Sequence, residues 1–585
     1  MATKISRQLA LAGALAAALG TGSAHAAFTL SDYTVDGGWA DTNGGNRGAD
    51  LDFIRTTPGN GVLFIALYRY DAQGNPLWLA TSVPVNESQF KVSNVQLFRY
   101  NGGSFGGAPT NATQTPVATA TINFESCNEL KIDIAPTAGS TIPASSLTLA
   151  KGEAAVGKKP LSCVYERKFT TCPAGTTSVP NVERTCVLSG AYTQNLQLTN
   201  ETTWVLSGLV RIGNRNSASA NLSIEAGTRI TGQGQTSDYL YVEPGSRIYA
   251  EGLSYAPIVF TSPKDSAGQT PAPKDWGGVV VSGNAPVNGT SPAPSEFDPN
   301  LLFGGTNATE SSGVLRYVQV RYAGYVFAPN REVNSFTFQG VGSGTVVEYI
   351  QSYRGGDDGV EFFGGTNNVK HLVVTDGGDD AIDWDLGWNG KVQYALVSHA
   401  ASGGLGEDRG IEAANNPNNS DASPRATPTL SHLTLMGNGR GTHGIELKQG
   451  SGGRIWNSIV TGFPTSCLFI TGGATYTAAG TPSALSGNTV VRNTFMNCTN
   501  NFRQDDGAAF TSEAFFNANT GNSTANADLQ GFLPKVGSPA LTAAAAVSTG
   551  TPAAKDDFFE VVPHVGAFRG PNDNWTVGWT VGVNQ

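Results

Sequence analysis

Along most of this chain apolar residues alternate with polar ones in short runs of about four to eight, the length and period of half-buried strands. Turn residues punctuate the runs. "GVLFIALYRYDAQGNPLWLATS" (Gly61 to Ser82) alternates on both sides of "DAQGN" and predicts a β-hairpin. From about residue 187 onward the pattern repeats. "LSIEAGTRITGQG" (Leu222 to Gly234) is followed 18 residues later by "LYVEPGSRIYAEG" (Leu240 to Gly252). Each copy is a strand, a Glu-x-Gly turn and a second strand, and a period near 20 of this kind predicts a stacked parallel solenoid. "GGDDGVEFFGG" (Gly355 to Gly365) then recurs as "GGDDAIDWDLG" (Gly377 to Gly387) at a shift of 22, with weaker copies at Glu407 to Asn416 and Gly441 to Gly450.

Aligning those four copies puts Val360, Ile382, Ile411 and Ile445 in one apolar column. Side chains alternate across a strand. The next column, Glu361, Asp383, Glu412 and Glu446, therefore points outward, with Asp385 and Lys448 on the same face two residues on. The expected fold is all-β: a right-handed parallel β-helix of about a dozen coils, preceded by a small antiparallel β-domain. The expected divisions are 1–26, 27–150, a cysteine-bearing junction 151–190, and the β-helix with its cap, 191–585. Insertions at about 264–312, 400–428 and 471–487 would be loops. The flank where they meet the acidic ladder is the expected site.

Residues 1–26 carry Lys4 and Arg7, an apolar run and "SAHA" before Ala27, the layout of a secretory signal peptide. That run is too short to cross a bilayer core of roughly 30 Å, and no membrane span is expected elsewhere. Export, to the periplasm, outer surface or medium, is the expected destination. Six cysteines suit it: Cys127, Cys163, Cys172, Cys186, Cys467 and Cys498, with the last two placed to bridge neighbouring coils. With 73 Gly, 30 Pro and only 14% charged residues the chain lacks a helix-forming composition. Its net charge of −10 excludes a nucleic-acid partner, whose phosphates need a basic face.

Carboxylates one coil apart sit about 4.8 Å from each other and repel. Four remedies are open. The ladder can bind Ca²⁺, which takes six to eight oxygens. One member can keep its proton and serve as a general acid. Arg409, Lys448 or Arg503 can neutralise it, or solvent can screen it. The pairs Asp357–Asp358 and Asp379–Asp380 are the candidate metal ligands, although Gly-Gly-Asp-Asp is also a natural turn sequence. His443 shares a column with Asp358, Asp380 and Arg409.

"LRYVQVRYAGY" (Leu315 to Tyr325), "GTVVEYIQSYRGGDDGVEFFGGT" and "VGAFRGPNDNWTVGWT" resemble a family of secreted or surface β-helix proteins of Gram-negative bacteria, often labelled lipoproteins or hypothetical proteins. The similarity spans most of 200–582 and implies the fold, not a reaction. The Gly61–Ser82 segment resembles a small β-module of secreted proteobacterial proteins, and its Tyr68, Tyr70 and Trp78 are either sugar-stacking rings or hairpin partners. "GDDAI" (Gly378 to Ile382) and "THGIE" (Thr442 to Glu446) resemble two motifs of polygalacturonase-like glycoside hydrolases. The chain departs from that pattern, however: no Asn-x-Asp precedes, Thr442 replaces a glycine, and "GRIWN" lacks the lysine. The residues thus favour a non-catalytic module binding extracellular or cell-surface polysaccharide through Glu361, Asp385, Arg409, Glu412, Glu446 and Lys448. The alternative is a polysaccharide hydrolase or lyase using Asp379, Asp380, Asp383 and His443, with Arg409 as the base of a lyase.

Overall fold

The structure is a computed structural model. It describes residues 37–583 except 43–46, 58–59, 72, 87–88, 90, 102–112, 125–128, 152–170, 181, 183, 216–217, 235–236, 329–330, 400–405, 407 and 545–557. The leader read in residues 1–26, and Cys127 and Cys163, lie outside the described residues. The chain divides into two compact units, one within residues 25–168 and one from Phe169 onward.

The first unit is a closed antiparallel barrel of strands β1 (Gly37–Asp41), β2 (Gly48–Thr57), β3 (Asn60–Tyr70), β4 (Pro76–Asn86), β5 (Lys91–Asn101), β6 (Thr113–Phe124), β7 (Glu129–Pro136) and β8 (Ser145–Lys151). The expected hairpin is β3–β4, paired from Asn60↔Asn86 to Tyr70↔Pro76. Asp71 Oδ1 closes its turn by accepting the amides of Gln73 and Asn75. Alternation sends Leu63, Ile65, Leu67, Leu77 and Leu79 into a filled interior.

The second unit is the parallel β-helix. Each regular coil contributes one strand to each of three parallel sheets. In sheet 1, Tyr239–Val242, Val279–Ser282, Phe336–Gln339, Val360–Phe363, Ile382–Asp385, Ile411–Ala413, His443–Leu447, Ser466–Ile470 and Phe502–Arg503 stack in that order. The expected apolar column stands: Val360, Ile382, Ile411 and Ile445 are neighbours and have no solvent exposure. Burying each contributes about 1.5–3 kcal/mol.

One expected repeat is corrected. Leu222 lies opposite Ile248, not Leu240, and Leu240 stacks on Val279 in another sheet. The two Glu-x-Gly segments are two different corners of the helix rather than one corner in successive coils. They look alike because both corners need the same turn chemistry.

Sheets 2 and 3 are joined within one long run per coil by a residue of positive φ: Tyr317, Tyr349, His371, Tyr394, His432, Asn457 and Asn493, with φ between 48° and 63°. For side chains other than Gly and Asn this bend is unfavourable. Ring stacking offsets it, with centroids 4.5 Å apart for Tyr317–Tyr349 and 4.1 Å for Tyr349–His371. The C-terminal segment lies on this column. Trp579 meets Tyr317 edge-on, Trp575 meets His371, and the side chains of Gln351 and Gln393 each make two hydrogen bonds to its backbone.

Disulfides join Cys172 to Cys186 and, as expected for neighbouring coils, Cys467 to Cys498 across 31 residues. A loop of that length makes Cys498→Ser, or reduction, cost about 3–4 kcal/mol in the chain-entropy view. Denaturant unfolding with and without reductant measures it; an unchanged midpoint would show that the last coils hold without the link. No helix of the described residues is long and apolar enough to cross a membrane.

Candidate functional site

The outward column of sheet 1 reads, coil by coil, Tyr241, Val280, Thr337, Glu361, Asp383, Glu412, Glu446, Phe469, Arg503. It begins apolar, turns acidic for four coils, and ends in an aromatic and a cation. The acidic stretch is where the sequence placed it, but it is not a solvated face. Glu361 and Glu446 are only 8% and 6% exposed.

The cover comes from the long insertion between Ser282 and Gly313. Its Phe297 and Leu301 pack on Tyr241 and Val280, and its Val287, Ala293 and Phe303 pack on Phe363. Between those anchors the insertion carries Glu296, and the short hairpin Val326–Ala328 with Arg331–Glu332 carries Glu332. The insertion thus withdraws water from carboxylates while adding more of them. Glu296 and Glu332 were not among the sequence candidates. The signal available was the expected loop flank, without the residue.

The Asp-Asp turns fall immediately before the strands, as expected, and their two members behave differently. Asp358 Oδ1 accepts the amide of Asp380, and Asp380 Oδ1 accepts that of Arg409, at 3.0 and 2.7 Å. Asp358 and Asp380 therefore knit successive coils together. Asp379 is exposed and Asp357 half-buried. The order Asp358, Asp380, Arg409, His443 is realised as a column: the carbonyls of Asp380, Arg409 and His443 accept from Gly359, Ala381 and Gly410.

The ladder has two electrostatic halves. In the first, Arg409 is surrounded: its guanidinium meets Asp380 at 3.4 Å, Asp408, Glu412 at 2.9 Å and, through Nε, Glu446. Lys448 meets Glu412 at 2.6 Å. Burial works against both cations, but these carboxylates outweigh it and raise both pKa values. A β-elimination base must lose its proton easily, and these surroundings work against Arg409 in that role. Asp408, also missed in the sequence, anchors the neighbouring turn by accepting from the Thr442 hydroxyl.

The second half holds Asp357, Asp358, Glu361, Asp379, Asp383 and Asp385. Here Lys274 is a cation acting on Asp357 and Asp379. Burial, followed by the charges of Glu332 and Asp379, pushes Asp357 up to about 8. Burial with Glu332 and Asp385 raises Glu296 to about 7, and burial raises Asp385 to about 6. Asp358, Glu361, Asp380 and Asp383 also rise well above the carboxylate range, chiefly through burial and then through a neighbouring carboxylate: Asp357 for Asp358, Asp383 for Glu361, and Glu412 for both Asp380 and Asp383. Oxygens of Asp358, Glu361 and Asp383 lie within 4.8 Å of one another, and the same holds for Asp357, Asp358 and Asp379 and for Asp379, Asp380 and Asp408. Asn334 donates to Glu361, whereas Asp383 Oδ1 is buried and has no hydrogen-bond donor.

His443 is not the exposed turn residue that a lone histidine between turns suggests. It begins a strand, is 3% exposed, and packs against Phe469. Its Nδ1 lies 2.7 Å from Ser466 Oγ, and its Nε2 lies 3.2 Å from Arg503 Nη1, which holds Nε2 as an acceptor. Burial, then Arg503 and Arg409, lowers its pKa to about 4. It is a neutral packed imidazole, poorly placed to donate a proton.

A β-helix is also what comparison with known families returns. The family model described as "Pectate-lyase like beta helix domain" matches residues 190–580. The chain belongs to this pectate-lyase-like β-helix family. No curated protein and no solved structure matches it. The matched span contains every residue of the acidic ladder. This pectate-lyase-like β-helix therefore carries its candidate site on the solenoid, with the barrel outside the matched region.

Proposed function

We propose that this pectate-lyase-like β-helix is an exported, non-catalytic module that binds extracellular polysaccharide on its acidic sheet face with the help of Ca²⁺. The single observation that carries the reading is the convergence of three carboxylates, Asp358, Glu361 and Asp383, on one small volume. Oxygens that share one Ca²⁺ at about 2.4 Å can be no more than about 4.8 Å apart, and these three satisfy that limit. The donorless Asp383 Oδ1 supports the same assignment, because a buried carboxylate oxygen needs a proton, a donor or a metal. Asp357 and Asp379 stand beside the triad as further oxygen ligands. Bound Ca²⁺ would supply positive charge on an otherwise repulsive face, letting uronate carboxylates approach. Polygalacturonate is accordingly the first probe.

Asp383→Asn keeps the shape and removes the charge. It is expected to lower Ca²⁺ affinity at least tenfold by calorimetry, about 1.4 kcal/mol, and to abolish Ca²⁺-dependent retention on polygalacturonate. Unchanged Ca²⁺ affinity would sink the proposal.

A hydrolase is the second reading, favoured by carboxyl groups that keep protons near neutral pH, as a general acid must. New reducing ends from polygalacturonate or a neutral polymer, lost in Asp380→Asn with folding intact, would establish it. Absorbance near 235 nm from unsaturated products would indicate a lyase.

A further inference from the structure

The barrel has a filled interior, so any ligand must meet its outside, and one part of that outside is aromatic. Alternation along β3, β4 and β5 points Phe64, Tyr68, Tyr70, Trp78 and Tyr100 away from the core. Trp78 is 68% exposed, Tyr100 48%, Tyr70 40% and Phe64 38%. Soluble proteins seldom leave so much ring surface together in water without a use for it.

The register gives the patch a shape. Tyr68 lies opposite Trp78, their rings edge to face at 4.8 Å. One row along, Asp50, Ala66, Ala80 and Phe98 are successive cross-strand neighbours, and beyond them lies the row Asp52, Phe64, Ser82. Two alanines thus form a low floor walled by Tyr68 and Trp78 on one side and Phe64 on the other. Carboxylates stand at the β2 edge of both the floor row and the Phe64 row. Tyr68 and Trp78 are hairpin partners, as one reading of the sequence had it, and Trp78 still leaves a ring face open to solvent.

We infer that this face of β2–β5 is a second carbohydrate-binding site, separate from the acidic ladder and specific for neutral polysaccharides. A pyranose presents an apolar C–H face that lies on an aromatic ring, and a rim of hydroxyls that donate to acceptors such as Asp50, Asp52 and Ser82. Small residues at the floor let the sugar ring settle between the walls. The two aspartates repel polyuronates and accept hydrogen bonds from neutral sugars, so charge selects the polymer. Tyr and Trp supply rigid contact area with little conformational freedom to lose.

The test uses the whole chain in EDTA, which silences any cation-dependent binding on the ladder. Depletion from solution is measured with microcrystalline cellulose, insoluble xylan and chitin. The expected result is retention on at least one polymer, weakened roughly tenfold or more by Trp78→Ala. Trp78→Tyr, which restores a ring, should largely recover it, and Asp383→Asn should leave it unchanged. Because Trp78 is mostly exposed, its variants should keep the parental melting curve. No retention on any of the three, or equal retention of the parent and Trp78→Ala, overturns the inference. So does a concentration-dependent dimer in sedimentation that Trp78→Ala dissociates, since the face would then serve a second copy. Failure of Asp383→Asn to weaken Ca²⁺ binding bears only on the ladder.

Discussion

Replacing Arg409 with Met is expected to destabilise the central coils by about 3–5 kcal/mol at pH 8, the usual cost of removing one partner from a buried ionic group. Arg409 is one cation facing Asp380, Asp408, Glu412 and Glu446. Methionine keeps much of the volume and removes the charge, so packing loss contributes little. What remains is a set of carboxylates with only Lys448 nearby. The loss should shrink as the pH falls from 8 to 5, because protonation relieves the same repulsion that the guanidinium relieves. Solenoids transmit stability mainly between neighbouring repeats. Amide exchange should therefore quicken first in Ile382–Asp385, Ile411–Ala413 and His443–Leu447, while barrel strands stay protected. A variant that unfolds at the parental denaturant concentration at pH 8 would show that Arg409 contributes only charge to the surface.

That network illustrates which parts of the site are legible in the chain. The copies at 355–365 and 377–387 differ by a shift without insertion, so a two-residue alternation was enough to send Val360 and Ile382 inward and Glu361 and Asp383 outward. The same logic carried the column to Glu412 and Glu446 and placed Arg409 between acidic coils. It could not say that four carboxylates converge on that one guanidinium, because side-chain reach across coils is not a sequence period. Nor could it find Glu296, Glu332 or Lys274. All three lie outside the repeated strands of the solenoid, and Glu296 is placed by where Phe297, Phe303 and Val287 of its own insertion find apolar surface. His443 misled because its neighbours read as a turn, while Phe469 and Arg503 from the next coils bury it. The first apparent repeat, Leu222 against Leu240, misled for another reason: two different corners carry the same Glu-x-Gly turn chemistry, although their strands belong to different sheets. The bend column of Tyr317, Tyr349, His371, Tyr394 and His432 breaks the alternation it sits in, and so left no period to follow.

The second large effect expected is a fall in stability between pH 6.5 and 8 when divalent cations are removed, reversed by Ca²⁺. Asp357, Glu296 and Asp385 have folded pKa values of about 8, 7 and 6, all above their values in an unfolded chain. The folded state therefore holds protons that the unfolded state has already lost. Stability from these groups is fully present below about pH 4 and disappears as pH rises through their folded pKa values, at a slope set by the excess of bound protons. His371, His432, His443 and His564 act in the opposite sense. Burial lowers them to about 4, 3, 4 and 4, so what they contribute is present above about pH 6.5 and lost on acidification. Unfolded histidines are still about half protonated at pH 6.5 and become neutral by about pH 7.5. Their opposing slope therefore fades between pH 6.5 and 8, and the carboxyl groups set the slope in the upper part of that window. In EDTA the melting temperature should fall across the upper part of that window, from about pH 7 to 8, by an amount on the order of 1 kcal/mol in stability. Ca²⁺ at about 100 times its dissociation constant should restore about 2.7 kcal/mol. Its effect should be larger at pH 8 than at pH 6.5, because the ion competes with protons for the same oxygens. Asp357→Asn should flatten the slope in EDTA. A melting temperature that is level from about pH 7 to 8, or a Ca²⁺ shift that is no larger at pH 8 than at 6.5, would mean that the ladder is neutralised by its own lysines and arginines. The cation would then have no part in holding this face together.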